Sequence, residues 1–275
     1  MAESYDLVSL PDYKAYMSIS QNTDDNKLRY LITAISRAIL TRINRPSLLP
    51  RYFTDIRDGS GEKAFFLRNW PVTSIVSLTI DGVAVPSAIA GDGWRSTAFG
   101  YVLDAPDMEP PGKPQMLSLK SGCYAKGRQN ICVTYMAGYQ TTEVINVRTM
   151  PPYSISLSES YGAWAKDISV TDVDHNLLTA VSENPLSGQY VASAGNYLFS
   201  SEDAGRECSI TYGYIPADLA IAAMDWIADR ASYQDRIGYS SKSLGGQETI
   251  SYLVKSIPDF VQPILQQYTN VVQTC

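Results

Sequence analysis

Residues 208–236 read CSITYGYIPADLAIAAMDWIADRASYQDR, an alternating segment that runs through one proline into an amphipathic one. Ile210, Tyr212 and Tyr214 recur at every second position, with Thr211 and Gly213 between them. That is the period of a strand with one buried face. Pro216 ends the ladder, and its fixed φ suits the first turn of a helix, where a missing N–H costs nothing; Asp218 places a carboxylate near the positive end of the helix dipole. Leu219, Ala220, Ala223, Met224, Ile227 and Ala231 then form one apolar stripe at helical spacing, with Asp225, Asp229 and Arg236 off it. The stretch predicts a strand that hands the chain directly to a helix packed by one face.

The same strand ending occurs upstream at residues 131–139, ICVTYMAGY. VTYMAGY and ITYGYIPADL read as two halves of one junction with a segment inserted between them. At the N-terminus, Ser9 followed by Asp12 predicts a capped short helix to about Met17, and Thr23 is the expected N-cap of a longer one. In that second helix Leu28, Leu31, Ile32, Ile35, Ala38 and Ile39 repeat at three-and-four spacing, and Asn44 and Pro46 close it. Its stripe needs a partner, and the helix after Pro216 is the expected one.

From Tyr52 the period changes to two. Residues 52–57 and 62–67 are expected to form a hairpin across Asp58-Gly59-Ser60-Gly61, and residues 75–80 and 83–85 another across Asp81-Gly82. Residues 116–120 and 131–136 read as further strands; residues 106–114, with four prolines, read as loop. A second β unit follows, with expected strands at 153–157, 164–171, 177–181, 188–191, 197–199 and 207–212, the spacing of a small barrel or sandwich. After the Pro216 helix come a Ser/Gly loop at 240–247, a strand at 249–254, and a last helix at 258–271 interrupted by Pro263.

With 275 residues the chain can hold two domains and a sizeable core. Nineteen tyrosines stand against six phenylalanines, a bias that suits β faces and polar protein interfaces. The net charge is −6 and no basic block occurs, so the electrostatic footprint of a phosphate-gripping protein is lacking. Cys123, Cys132, Cys208 and Cys275 have no CxxC spacing and read as small thiols in a reducing compartment. No basic leader precedes an apolar run, and 18 apolar residues never occur in succession, which predicts a protein made in the cytosol, with no membrane partner.

His175, the single histidine, lies in Asp172-Val-Asp174-His-Asn176, an expected turn. Asp172, Asp174, Asn176 and Glu183 fall at positions 1, 3, 5 and 12 of a calcium loop, but Leu177 stands where that loop's sharp turn requires glycine. Residues 122–128 have the glycine spacing of a phosphate loop without its Lys and Ser/Thr, and read as a tight hairpin loop. No catalytic residue, cofactor site or metal site is expected.

Taken in order, VSLPDYKAYMSIS, TDDNKLRYLITAISRAIL, FFLRNWPVTSIVSLTIDG, VTYMAGY, IPADLAIAAMDWIADRASYQDR and GGQETISYL resemble the head–tail connector (adaptor, head completion) family of tailed bacteriophages. The resemblance implies a non-enzymatic virion protein of the neck, assembled in the host cytoplasm. Its partners would be the portal protein, neighbouring copies in a ring, usually twelvefold, and a downstream neck or tail protein, with DNA passing through the channel without specific binding. Within the inserted segment, SGQYVASAGNYLFSSEDAGRECSITYGY resembles small β modules of phage tail and virion proteins. In such a module Gly188 and Gly195 would make turns while Tyr190, Tyr197 and Phe199 fill the core.

The expected fold is α+β: a helical bundle formed by both chain ends (1–50 and 214–275), a β domain (51–140) and an inserted all-β module, barrel or sandwich-like (141–213). The C-terminal segment carries the candidate portal contacts Leu253, Ile257, Phe260, Val261, Ile264, Leu265 and Tyr268, with Val254 beside them. This segment is apolar for a tail, broken by Pro258 and Pro263, and preceded by the Ser/Gly loop; a last helix packed on its own bundle is the other reading. Two further identities stay open: a stopper or tail-completion protein, and a calcium- or carbohydrate-binding β-module protein.

Overall fold

The computed structural model describes residues 6–88, 99–104, 114–233, 241–244, 248–251 and 257–270, a mixed α+β protein. The described residues divide into two compact units. One is built from the chain up to Pro46 and from Pro216 onward, the other from Ser47 to Ile215.

The first unit is mainly helical. Helix α1 (Leu10–Tyr16) opens as its sequence predicts, with the Ser9 hydroxyl oxygen accepting from Asp12 N–H at 3.2 Å and Pro11 in the first turn. Helix α2 (Asp25–Arg42) departs from expectation at its start, because Asp24 and not Thr23 is the N-cap, and its side chain makes no capping bond. Asp25 is held instead by Lys14 Nζ at 2.8 Å. The end of α2 is a full Schellman closure: Asn44 takes φ +55, Asn44 N–H donates to Thr41 O at 3.2 Å, and Arg45 N–H donates to Leu40 O at 3.0 Å. The buried stripe is Leu28, Ile32, Ile35, Ser36, Ile39 and Leu40, whereas Ala38, expected on it, faces solvent. Buried Ser36 is satisfied by Leu7 N–H at 2.9 Å.

Helix α3 (Ala217–Tyr233) follows Pro216 directly and buries Leu219, Ala220, Ala222, Ala223, Trp226 and Ile227. Trp226 replaces Met224 as the large core residue, Met224 being half-buried. α2 packs on α3, and α1 on α2. The expected loop at 240–247 contains a strand, β15 (Ser241–Leu244), paired antiparallel with β16 (Glu248–Ser251). The last helix, α4 (Gln262–Tyr268), is shorter than expected. Pro263 lies in its first turn, where it starts the helix and does not break it.

The second unit is β. Strand β7 (Gly127–Ala137) lies between β1 (Arg51–Gly59) and β3 (Val72–Ile80), with β4 (Val83–Val85) beyond β3. The β3–β4 hairpin forms as predicted, Asp81 (φ 50) and Gly82 (φ 78) both taking the positive φ of a type I′ turn. The hairpin expected across residues 58–61 does not form. β1 pairs with β7 from Arg51↔Ala137 to Arg57↔Ile131, while β2 (Ala64–Phe66) joins β6 (Met116–Leu119) and β5 (Tyr101–Leu103) in a second sheet. Gly59 is needed for close approach, since a Cβ there would meet Ala125 O at 1.7 Å. For the same reason residues 122–128 are no hairpin loop: they carry the chain from β6 in one sheet to β7 in the other. Between these strands Leu67, Leu78, Leu117, Val133 and Tyr135 form the buried core.

After Gly138 the chain enters a strand that the sequence reading passed over, β8 (Gln140–Asn146). It pairs with β14 (Glu207–Pro216) from Gly213↔Gln140 to Glu207↔Asn146, and β10 (Gly162–Asp172) lies on β14's other side. Tyr214 N–H donates to Tyr139 O at 3.2 Å, so the two similar strand ends meet. The remaining sheet runs β11 (Thr179–Ala180), β12 (Gln189–Ser193), β13 (Asn196–Phe199), β9 (Ser154–Ser156). Tyr190, Tyr197 and Phe199 are buried there as expected, the two tyrosine rings 5.8 Å apart.

Ile39 is fully buried on α2 while Ala38 beside it is exposed. Ile39→Ala is expected to lower the unfolding free energy by about 2–5 kcal/mol, and Ala38→Ser to change it by less than about 0.7 kcal/mol. Urea titration of both variants checks the orientation of the helix.

Candidate docking surfaces

The polar groups singled out by motif take structural roles. His175 is exposed at φ +62 in the turn after β10. The Asp172 carboxylate closes that turn, accepting from Asn176 Nδ2 (3.0 Å), Asn176 N–H (2.8 Å) and Asp174 N–H (3.0 Å), and these bonds hold it below the usual carboxylate range. Among the described residues no group of three His, Cys, Asp or Glu side chains could hold a metal ion. Burial, with Asp203 adding to it, pushes the Cys208 thiol up to about 11, which keeps it protonated and unreactive. Cys275 lies outside the described residues.

Instead, a repeated pairing of tyrosine hydroxyls with carboxylates runs through both units. In the core of the first two sheets, buried Asp55 accepts from Tyr135 Oη at 2.9 Å, while Tyr135 Oη accepts from Asn69 N–H at 3.1 Å. Asp167 receives Tyr190 Oη at 2.7 Å and Tyr197 Oη at 2.8 Å, and Trp164 Nε1 donates to Tyr197 Oη at 3.1 Å. Glu143 receives Tyr212 Oη at 2.6 Å. In the helical unit Asp225 receives Tyr16 Oη at 2.8 Å, and Asp218 receives Tyr268 Oη at 2.5 Å. Burial first, and the facing carboxylate after it, hold the Tyr135, Tyr190 and Tyr212 hydroxyls well above the usual phenol range. They remain donors at any working pH. The surplus of tyrosine over phenylalanine was the available sign of this pairing, but which acid each would meet is a tertiary matter.

The candidate contacts of the C-terminal segment separate into two groups. Leu253, with Val254, lies outside the described residues. Val261, Leu265 and Tyr268 are buried in the helical unit. Tyr268 O accepts from Arg45 Nε at 2.7 Å, and Asn270 N–H donates to Ile43 O at 2.7 Å, so α4 is tied to the end of α2 as well as to Asp218 at the start of α3. Phe260 remains 57% exposed, and Ile257 and Ile264 are half-buried. A cleft of about 460 Å³ opens in the same unit between Tyr13, Met17, Ile19, Leu28, Ala228 and Ala231. No described helix is long and apolar enough to cross a membrane.

The outer face of the β1-β7-β3 sheet is also open. Tyr52↔Met136, Thr54↔Thr134 and Ile56↔Cys132 are cross-strand neighbours there, and Tyr52 and Ile56 are exposed.

Burial alone would raise the Glu143 carboxyl, but the bonds from Tyr212 Oη and Ser158 N–H outweigh it and hold the carboxyl below the usual glutamate range. A depressed carboxyl stabilises the fold above its unfolded pKa, and this contribution disappears as pH falls through the folded value. Glu143→Gln should therefore melt below the unsubstituted protein at pH 7, and the two melting temperatures should converge under acid. A difference that stays constant from pH 7 to pH 3 would assign the loss to packing.

The family model described as "Head completion protein" matches residues 6–150. The match takes in α1, α2 and strands β1 to β8, and ends before β9. Comparison with curated proteins gives no match. Because the family match covers more than half of the 275 residues, including both N-terminal helices and the whole first β sheet, the chain belongs to the head completion protein family, structural proteins of the bacteriophage head–tail region.

Proposed function

We propose that the chain is the adaptor subunit of the phage neck: copies of it form a ring, twelvefold in the simplest case, that docks on the portal, extends the DNA channel and presents a new surface to the next tail component. The observation that carries this reading is the tie between the chain's two ends. The end of α2 and α4 are joined through Arg45–Tyr268 and Ile43–Asn270, so the N-terminal helices and the C-terminal segment act as one helical body. On that body Phe260, with Ile257 and Ile264 beside it in sequence, is the portal contact, while Val261, Leu265 and Tyr268 hold the segment in place. Burying apolar area across subunits would favour docking by roughly 25 cal/mol per Å² before ordering costs. The adaptor has no enzymatic step and no cofactor; its action is geometric, matching one symmetry to another.

Residues 141–213 are, on this reading, an insertion into the adaptor plan, although its first strand, β8, still lies within the family match. Entry and exit are adjacent, with Gln140 paired to Gly213 and Tyr139 O accepting from Tyr214 N–H, as expected of a segment accommodated by a parent fold. Replacing 141–213 by a short Gly/Ser linker should leave a soluble helical protein by circular dichroism. An insoluble product would count against the boundary.

DNA-filled, tailless heads lacking this protein provide the functional test. Added purified protein should bind the heads and make them competent to accept tails, and Phe260→Asp should weaken head binding at least tenfold with an unchanged melting curve. Binding to tails in preference to heads would replace the adaptor by a stopper or tail-completion protein. A head affinity unaffected by Phe260→Asp would remove the C-terminal segment from the contact.

A further inference from the structure

Every described sheet of the β unit has at least three strands, but the helical unit carries a sheet of two. β15 and β16 pair antiparallel from Leu244↔Glu248 to Ser241↔Ser251, and no other described strand lies beside either of them. A hairpin of two strands is marginal in water on its own, and three strands or more are needed for a sheet to stand. Neither strand contains proline and their register is continuous, so nothing in the backbone blocks the addition of a further strand at either edge.

What the two edges require selects the occupant. A peptide or a strand of another protein could complete one edge and would leave the other open. An identical hairpin placed alongside completes the β16 edge with its own β15, which runs in the opposite direction, and carries a new β16 edge forward. Only a row of copies satisfies both edges of every member.

The charges agree with this order. By strand alternation Lys242, Leu244, Glu248 and Ile250 belong to one face of the hairpin, and Ser241, Ser243, Thr249 and Ser251 to the other. β15 has a single charged residue, Lys242, and β16 a single one of opposite sign, Glu248, assigned to the same face. Joining β16 to a neighbour's β15 puts a glutamate strand beside a lysine strand. Joining like edges puts lysine strand beside lysine strand, or glutamate beside glutamate, which disfavours a two-fold pair.

We infer that the β15–β16 hairpins of successive copies join edge to edge, β16 of one to β15 of the next, into one continuous antiparallel sheet. The contact is head-to-tail and repeats until it closes, which removes every open edge. Each copy adds two strands at about 4.8 Å per strand, so a twelvefold ring closes with a circumference of about 115 Å. That exceeds the barrels of roughly 16–18 strands that already hold an aqueous channel. This inference rests on the ring reading above and names a contact that holds the ring together.

Disulfide cross-linking on tailless heads tests it. Ser241→Cys or Ser243→Cys on β15 is mixed with Thr249→Cys or Ser251→Cys on β16, each chain carrying one added cysteine, so that the added cysteines cannot bridge within one hairpin. The mixtures are bound to heads lacking this protein and oxidised, with the unsubstituted protein as control for the four native cysteines. At least one β15/β16 mixture should give disulfide-linked dimer at least tenfold above either variant alone, with unchanged melting curves. Dimer that forms equally within a single variant means that like edges pair, and overturns the inference. A cross-link to a head protein makes that protein the occupant and overturns it as well. Heads that hold the protein but yield no β15–β16 bridge in any mixture sink the inference and leave the ring reading standing; heads that bind neither the variants nor the unsubstituted protein sink both.

Discussion

The structure depends on how an acidic chain accommodates carboxylates inside its packed parts. A buried carboxylate left without donors costs several kcal/mol, and with 22 basic against 28 acidic residues the chain cannot pair each acid with a cation. The donors are tyrosine hydroxyls. Asp55, Glu143 and Asp218 each accept from one and Asp167 from two, whereas the Tyr16–Asp225 pair lies at the surface. A phenol brings a large apolar ring along with its donor, so one residue both fills the core and satisfies the acid, and no second charge needs to be desolvated. Buried Asp203 is the exception, met by Arg206 Nη1 at 2.8 Å, Ser187 Oγ and Gly188 N–H.

That economy of cations has a consequence at the surface. Lys14 is engaged by Asp25, Arg45 by Tyr268 O and Arg57 by Phe66 O. Lys27, Arg29, Arg37 and Arg42 of α2 stay exposed.

Reading by period identified what local chemistry decides. The Ser9 cap, the Asn44 closure, the Asp81-Gly82 turn and the strand-to-helix step at Pro216 depend on residues within a few positions of each other, and each forms as its sequence predicts. What escaped depends on distant partners. β1 could have turned back on β2, but its neighbour is β7, far downstream in the chain, and the glycine that suggested a turn serves a close approach to Ala125 instead. β8 carries polar residues on both sides of its alternation, so no apolar face announced it. Val261, Leu265 and Tyr268 read equally as a docking arm or as a helix on the chain's own bundle, because their anchors, Asp218 and the end of α2, lie far away in sequence.

The cations of α2 are dispersed for a different reason. Of the six basic residues in 26–54, Lys27, Arg29, Arg37 and Arg42 belong to α2, whereas Arg45 is buried on Tyr268 O and Arg51 lies on β1. At about 100° per residue the four on α2 spread around its exposed circumference. From Arg29 to Arg37 the separation is about 12 Å along the axis, although eight positions separate them in the chain. Net charge, averaged over 275 residues, describes how the whole molecule is repelled by a polyanion; it says little about a face of one helix.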